Sequence, residues 1–420
     1  MKRSYTFLAV AMATASMSSL THSAELRMSW WGGDSRHAAT QAALEVCGTK
    51  HGHTIKPEFT GWSGHFEKVA TQLAGSTEAD IMQINWPWLP IFSKEGTGFA
   101  DLNKFSDTID LSQWTNEELA AASRGGHLNG LPASVSGRMF FFNKTTWDKA
   151  GLSVPTSMDE LMAAGPVFAE KLGDDYYPLE GIGQDASLLI QNFVTQLTGK
   201  SLIDPETNQV QWTAEDLKAG IDQYQAMVEN HVLKDWKSMA AAGNVRLYEN
   251  ADWTGGKIGG SYQWDSVYFK ISDPLTEGQE LVPAGLLRLA NSKNDGVYRK
   301  PSMTFAISAN SQNQQAAAEI LNCLLTEPEG IDAMASARGV PSSDAAAKRL
   351  LETGGIQPIQ ITAQNMVMAA QAPPISPYNE DPDVRAGIED SLELFAYGQL
   401  SSEETSEEIL MLVNEALEDK

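Results

Sequence analysis

Cysteine is nearly absent: Cys47 and Cys323 are the only two in 420 residues. No clustered Cys/His set is therefore available to hold a metal, and His51-Gly-His53 is a pair of histidines in a turn without further ligands. Basic charge is also scarce, with 30 Lys and Arg against 54 Asp and Glu and a formal net charge of −24. Nucleic acid and anionic membrane surfaces both need a basic face, so neither is expected as a partner. Long apolar runs are missing too. The one candidate, 6–20 (TFLAVAMATASMSSL), is too short for a bilayer of ~30 Å. Catalytic signatures are lacking: there is no G-x-S-x-G, H-E-x-x-H or Walker loop. Paired carboxylates carry no information, because 54 acids guarantee chance pairs.

What is present describes an exported globular protein. Lys2 and Arg3 precede the apolar stretch as they do in a secretory signal, with cleavage expected after Ala24. Losing those two cations leaves 28 basic against 54 acidic residues, a formal charge of −26. Hydrophobic content of 42% and charged content of 20% suit a soluble fold. The length is comfortable for two lobes of ordinary domain size. An oxidising compartment permits a disulfide between two thiols so far apart, but does not require one.

Segments 26–30, 53–60 and 79–84 read as strands separated by helices near 35–50 and 66–74. Ala39, Ala43 and Cys47 recur at four-residue spacing on the first helix. That rhythm implies parallel strands with right-handed crossovers, and ligands of such sheets bind beyond the strands' carboxyl ends. Extended runs at 132–142 and 301–308 look like crossings between lobes, with a mostly helical region between about 145 and 250. A Pro-rich loop covers 372–382. A capping box of Ser401 and Glu404 opens a final helix that buries Ile409, Val413, Ala416 and Leu417 on one face.

Tryptophans gather where a ligand would sit. Trp30, Trp31, Trp62, Trp86, Trp88 and Trp264 fall in loops expected to rim a cleft, with Asn85 leading into the Trp86–Trp88 turn. An aromatic face can stack on the C–H face of a pyranose, burying apolar area while neighbouring polar groups take the hydroxyls. Trp31, Trp62 and Trp264 are the favoured platforms. Basic residues share these segments: Arg36, His37, His65, Arg138, Arg299 and Lys300. Arginine can grip a carboxylate through two parallel hydrogen bonds, which would suit a sugar acid. Arg138 and Lys300 are the preferred carboxylate partners. The competing reading pairs such residues with local acids and leaves a binder of neutral oligosaccharides. A secreted carbohydrate-active enzyme is a further alternative, but no acid/base constellation supports it.

Together these segments resemble the bacterial extracellular solute-binding proteins of sugar ABC importers, the maltose-binding-protein-like family. The general marks are A-D-I-M at 79–82, N-G-L-P-A-S-V-S at 129–136 leading into F-F-F-N-K, E-P-E-G at 327–330 and R-G-V-P at 338–341. R-M-S-W-W-G-G at 27–33, T-G-W-S-G-H at 60–65, N-W-P-W-L-P-I-F-S-K at 85–94 and D-L-N-K at 101–104 resemble the oligogalacturonide-binding branch. The segment at 180–185 departs from the family pattern.

The resemblance implies an α/β fold of two lobes, joined by three chain crossings and closing on a ligand. It implies a first lobe of 25–135 with 302–350, and a mostly helical second lobe of 136–301 with 351–420. Trp264 then belongs to the second-lobe stacking segment and Tyr378 to the C-terminal loop, while Ser136 and Arg138 lie on one hinge strand and Lys300 on the return. Cys47 and Cys323 stand where related proteins have large apolar core residues, which suggests a disulfide between them. The implied protein is a periplasmic monomer without cofactor or catalysis. It would capture an acidic oligosaccharide for the permease subunits of an ABC importer.

Overall fold

The structure, a computed structural model, describes residues 23–241, 246–418 and 420. The export signal expected at 1–24 lies, except for its last two residues, outside the described residues. Among the described residues no helix is long and apolar enough to cross a membrane.

Three strands open the chain: β1 (Glu25–Trp31), β2 (Thr54–Thr60) and β3 (Ile81–Asn85). β1 lies between the other two and pairs parallel with both. The helices Asp34–His51 and His65–Ala74 form the crossovers. Every residue of β3 is buried, as the centre of a sheet covered on both faces requires. A two-stranded hairpin, β4 (Ser123–Arg124) and β5 (His127–Leu128), precedes the long strand β6 (Leu131–Asn143). After the helical middle region come β7 (Gly260–Trp264), β8 (Leu281–Gly285) and β9 (Arg299–Ile307). The sheet runs β2-β1-β3-β9-β6-β7, with β8 also pairing β6.

β6 and β9 join the two halves. The first part of β6 runs antiparallel to β9, with Leu131 opposite Phe305 and Gly137 opposite Arg299. From Arg138 to Phe142 the same strand turns to β7. The handover falls at Gly137, where a Cβ would lie 2.4 Å from Val367 Cγ1, so only glycine fits the approach. β7 and β8 escaped the sequence reading, and Trp264 ends a strand rather than standing in a loop. Gly260-Ser261 and Pro283-Ala284-Gly285 give no alternating apolar pattern, so β6 supplies the partner that defines them.

The apolar core is divided accordingly. One cluster draws on 24–133 and 303–334 and includes Trp30, Ile84, Phe99 and Phe305. Two others draw on 139–413 and surround Phe140, Phe142, Trp147 and Phe193 on one side and Phe141 and Trp253 on the other. A third connection passes through the helices Asp344–Thr353, which packs on Ile331 through Leu350, and Pro358–Ala369, which packs on Met139 and Phe141 through Val367. The fold is thus α/β and two-lobed, with three crossings. Cys47 on the first helix and Cys323 on the helix Gln314–Thr326 are bonded, with Cα atoms 5.8 Å apart. The last helix, Ser402–Leu417, has the Ser401–Glu404 capping box and buries Ile409 and Val413.

Candidate functional site

The carboxyl ends of the three parallel strands bring four side chains together. Trp31 ends β1, Trp62 and His65 follow β2, and Trp88 follows β3. Trp31 lies 5.3 Å from Trp62, 5.3 Å from His65 and 5.4 Å from Trp88, centroid to centroid. Trp62 stacks on Trp88 at 5.5 Å and 21°. Trp31 and Trp88 are buried, whereas Trp62 is 45% exposed and offers a free aromatic surface. Neighbouring residues of a strand point to opposite faces. Trp30 accordingly enters the core, where its indole N–H donates to His37 Nδ1 at 3.1 Å, and His37 stacks on Phe59 at 4.3 Å. His37 therefore serves that packing and does not join the tryptophan group. Trp86 is buried and donates to the Ala121 carbonyl at 2.8 Å. Asn85 is also buried at the end of β3, its backbone in register with Met303.

His65 is held at the start of its helix by a 2.7 Å contact between Nδ1 and Thr60 Oγ1. Burial, with Lys68 adding to it, pushes its pKa down to about 4. The imidazole is neutral at pH 7, so it is not the cation the sequence suggested.

The second side is built on β6, β7 and β9. Ser136 Oγ donates to Asp265, and the Gly137 amide adds a bond of 3.1 Å to the same carboxylate. Burial nevertheless raises Asp265 to about 6. Arg138 is almost wholly buried and donates to the Asp185 carboxylate and the Tyr262 carbonyl. Its guanidinium sits 5.0 Å over the Tyr262 ring and 5.5 Å over Trp264. The Lys300 ammonium contacts the Glu380 carboxylate at 2.6 Å and lies 5.1 Å over the other side chain it shares with Arg138, Trp264. Burial lowers the Lys300 pKa although Glu380 opposes the shift. Both preferred carboxylate partners are thus paired inside the protein. Arg299 caps the helix Pro358–Ala369 by donating to the carbonyls of Val367, Met368 and Ala370. Tyr378 is buried in the second core.

Several contributors carry no local sequence signal. Asp185, from the segment that departs from the family pattern, accepts from Arg138 and, at 2.6 Å, from Gln263. Glu180 is buried nearby; burial, with Asp185 adding to it, raises its pKa to about 8. Glu380, on the turn Pro377–Glu380, reaches Lys300 while that turn packs against the turn Trp86–Trp88. Arg124 of the β4–β5 hairpin acts electrostatically on Tyr378. The two aromatic sides thus border one interlobe region.

Arg36 and Arg338 lie close to the Trp31 backbone, with Arg338 also 5.1 Å over the ring of the core residue Phe305. Arg36 donates to the Ala337 carbonyl at 2.9 Å and to that of Trp31 at 3.4 Å. Arg338 donates to Gln83 Oε1 at 2.8 Å, and Gln83 donates in turn to the Trp31 carbonyl at 3.3 Å. His51, Cys323 and Glu327 have ligand atoms within 4.8 Å of one another, but the sulfur is spent in the disulfide. The interlobe region offers aromatic faces, hydrogen-bond donors and cations, which are the means to hold a sugar.

Known proteins share this fold. The chain is 39% identical to a periplasmic oligogalacturonide-binding protein from Yersinia enterocolitica solved with saturated digalacturonic acid, covering 94% of this chain and 99% of that one, with a TM-score of 0.88. A periplasmic solute-binding protein from Pectobacterium atrosepticum is 35% identical over the same shares, with a TM-score of 0.89. A de novo designed cysteine esterase on the same scaffold is 37% identical, covering 94% and 99%, with a TM-score of 0.83. Binding proteins from Brucella abortus match at 27% over 132 residues, and the chain spans about a third of their length (32%). The model of bacterial extracellular solute-binding proteins matches residues 35–331, and the chain belongs to that family.

Proposed function

We propose that the protein is a periplasmic binding protein that captures an acidic oligosaccharide of the oligogalacturonide type and delivers it to an ABC importer. The observation that carries this reading is the exposed Trp62, stacked on Trp88 and edge-on to Trp31 at the ends of three parallel strands. The likeness to a binding protein solved with digalacturonic acid supports the acidic class. Residues 25–135 with 302–350 form the first lobe and 136–301 with 351–420 the second, and 1–24 directs export. Closure about β6 and β9 brings Trp264 toward Trp62, and the closed shape is the form the permease recognises. The reading includes no covalent step, cofactor or second subunit.

A neutral oligosaccharide is the second reading, favoured by the internal pairs Arg138–Asp185 and Lys300–Glu380. Calorimetric titration against galacturonides, other uronides and uncharged oligosaccharides separates the two, with chromatography of the recovered sugars. Galacturonide binding without new products is expected. Binding confined to uncharged sugars contradicts the first reading, and new products contradict both.

A further inference from the structure

Arg36 and Arg338 lie side by side without an acid. Arg27, Arg138, Arg288, Arg349 and Arg385 each pair with a carboxylate. Arg124, Arg246 and Arg299 stand apart from one another with no ion pair among the described residues, Arg299 being satisfied by three carbonyls. Arg36 and Arg338 form no ion pair among the described residues, and their bonds run to carbonyls, to Gln83 and to the Met334 sulfur. Arg338 is only 5% exposed, and its Nη2 is buried with no hydrogen-bond partner among the described residues. An arginine does not shed its proton in the neutral range, so the charge stays where it is. In a chain with 54 acids, two adjacent cations without one are a selective arrangement.

The pair is also held in place. A Cβ on Gly32 would lie 2.7 Å from Arg36 Cδ, so the Arg36 stem lies flat over a backbone position open only to glycine. The Trp31 carbonyl receives both Arg36 and the Gln83 amide that orients Arg338. Trp31 thus connects the cations to the aromatic group through one residue. Gly339, next in sequence to Arg338, would place a Cβ 3.2 Å from Ser266 Cβ, and Ser266 Oγ lies 3.0 Å from Ser136 Oγ on the crossing strand. The cations therefore stand where the first lobe meets the hinge.

Burial moves the same way at both residues. It brings Arg36 down to about 10 and Arg338 well below the ordinary guanidinium range, with Arg36 adding to the latter shift. No acid raises either one. An anion supplied from outside would relieve both the desolvation and the mutual repulsion.

We propose that Arg36 and Arg338, aligned by Gln83 and the Trp31 carbonyl, receive the ligand's carboxylate; this rests on the acidic-oligosaccharide reading and moves charge recognition from Arg138 and Lys300 to the first lobe. The uronate carboxylate meets the guanidiniums while its ring lies against the tryptophans.

Calorimetric titration of the mature protein and its Arg36→Met and Arg338→Met variants with digalacturonate and with uncharged digalactose tests this. Digalacturonate affinity is expected to fall roughly 10- to 100-fold in each variant, the scale of a lost charge-assisted bond, with binding of digalactose unchanged. Melting temperatures of the free variants should hold or rise, because a lone buried charge is removed, whereas a purely structural role would lower them. Should Arg338→Met not fold, Arg36→Met and Gly32→Ala decide the matter. Variants binding digalacturonate within about twofold of the parent overturn the assignment and leave the acidic reading standing. A parent protein that binds no uronide overturns both.

Discussion

The two sides of the interlobe region treat positive charge in opposite ways. On the second-lobe side Arg138 is closed off by Asp185 and Lys300 by Glu380, each beside Trp264. On the first-lobe side Arg36 and Arg338 have only neutral partners beneath Trp31. A cation sealed to its own acid shapes a wall and holds its stacking partner in place. A cation left without one retains an attraction for an anion from solution. Arg138 and Lys300 lie over Trp264, whereas Arg36 donates to the Trp31 carbonyl and Arg338 lies 5.1 Å over the Phe305 ring. Nearness to an aromatic ring therefore does not identify the charge-reading pair. Two cations close enough to act on each other with no carboxylate between them do, an arrangement that Arg299, satisfied by carbonyls, does not share.

The largest expected effect breaks a sealed pair. Glu380→Gln leaves Lys300 buried without its acid and should lower unfolding free energy by about 3–5 kcal/mol, measured by urea denaturation. Adding Lys300→Met should restore most of the loss, since the stranded charge is then gone. An unaltered urea midpoint in Glu380→Gln would place the pair outside the protein's stability.

A smaller effect separates platform from core. Trp62→Ala should weaken saccharide binding by about 1–3 kcal/mol through lost stacking area, while free-protein stability changes by less than about 1 kcal/mol, because the ring is 45% exposed. Calorimetry and thermal melting of the same sample read the two quantities. A loss of stability without a loss of affinity would make Trp62 a packing residue.

A further effect concerns pH. Glu180 has a folded pKa raised to about 8 by burial and then by Asp185, against a value of 4.5 in an open chain. Between these values the folded protein holds a proton that the unfolded chain has released. Stability is therefore lost as pH rises from about 4.5 to 8. Glu180→Gln should remove that slope, raising the melting temperature at pH 8.5 relative to the parent by more than at pH 4.5, by a few degrees. Equal shifts at both pH values would mean that Glu180 is not held protonated.

Much of this was legible in the sequence, for identifiable reasons. The first lobe's strands and helices follow from apolar periodicity, and the tryptophans at 31, 62 and 88 follow from the carboxyl-end rule for parallel sheets. Trp30 and His37 could have been separated from Trp31 by strand alternation alone. The pairing state of the cations could not be read. Asp185 lies 47 residues from Arg138 and Glu380 lies 80 from Lys300, so only the fold brings them together. Arg338 stood inside the R-G-V-P motif without sign of function, since what marks it is an acid that is missing.

The most direct measurement compares digalacturonate with its methyl ester, which keeps the rings and removes the charge, in one calorimetric series on the unaltered protein. If the first-lobe side reads a carboxylate, esterification should weaken binding at least about tenfold, and the acid's affinity alone should fall as salt is raised. Equal affinities for acid and ester, with no dependence on salt, would contradict it and make the cleft a site for neutral sugars.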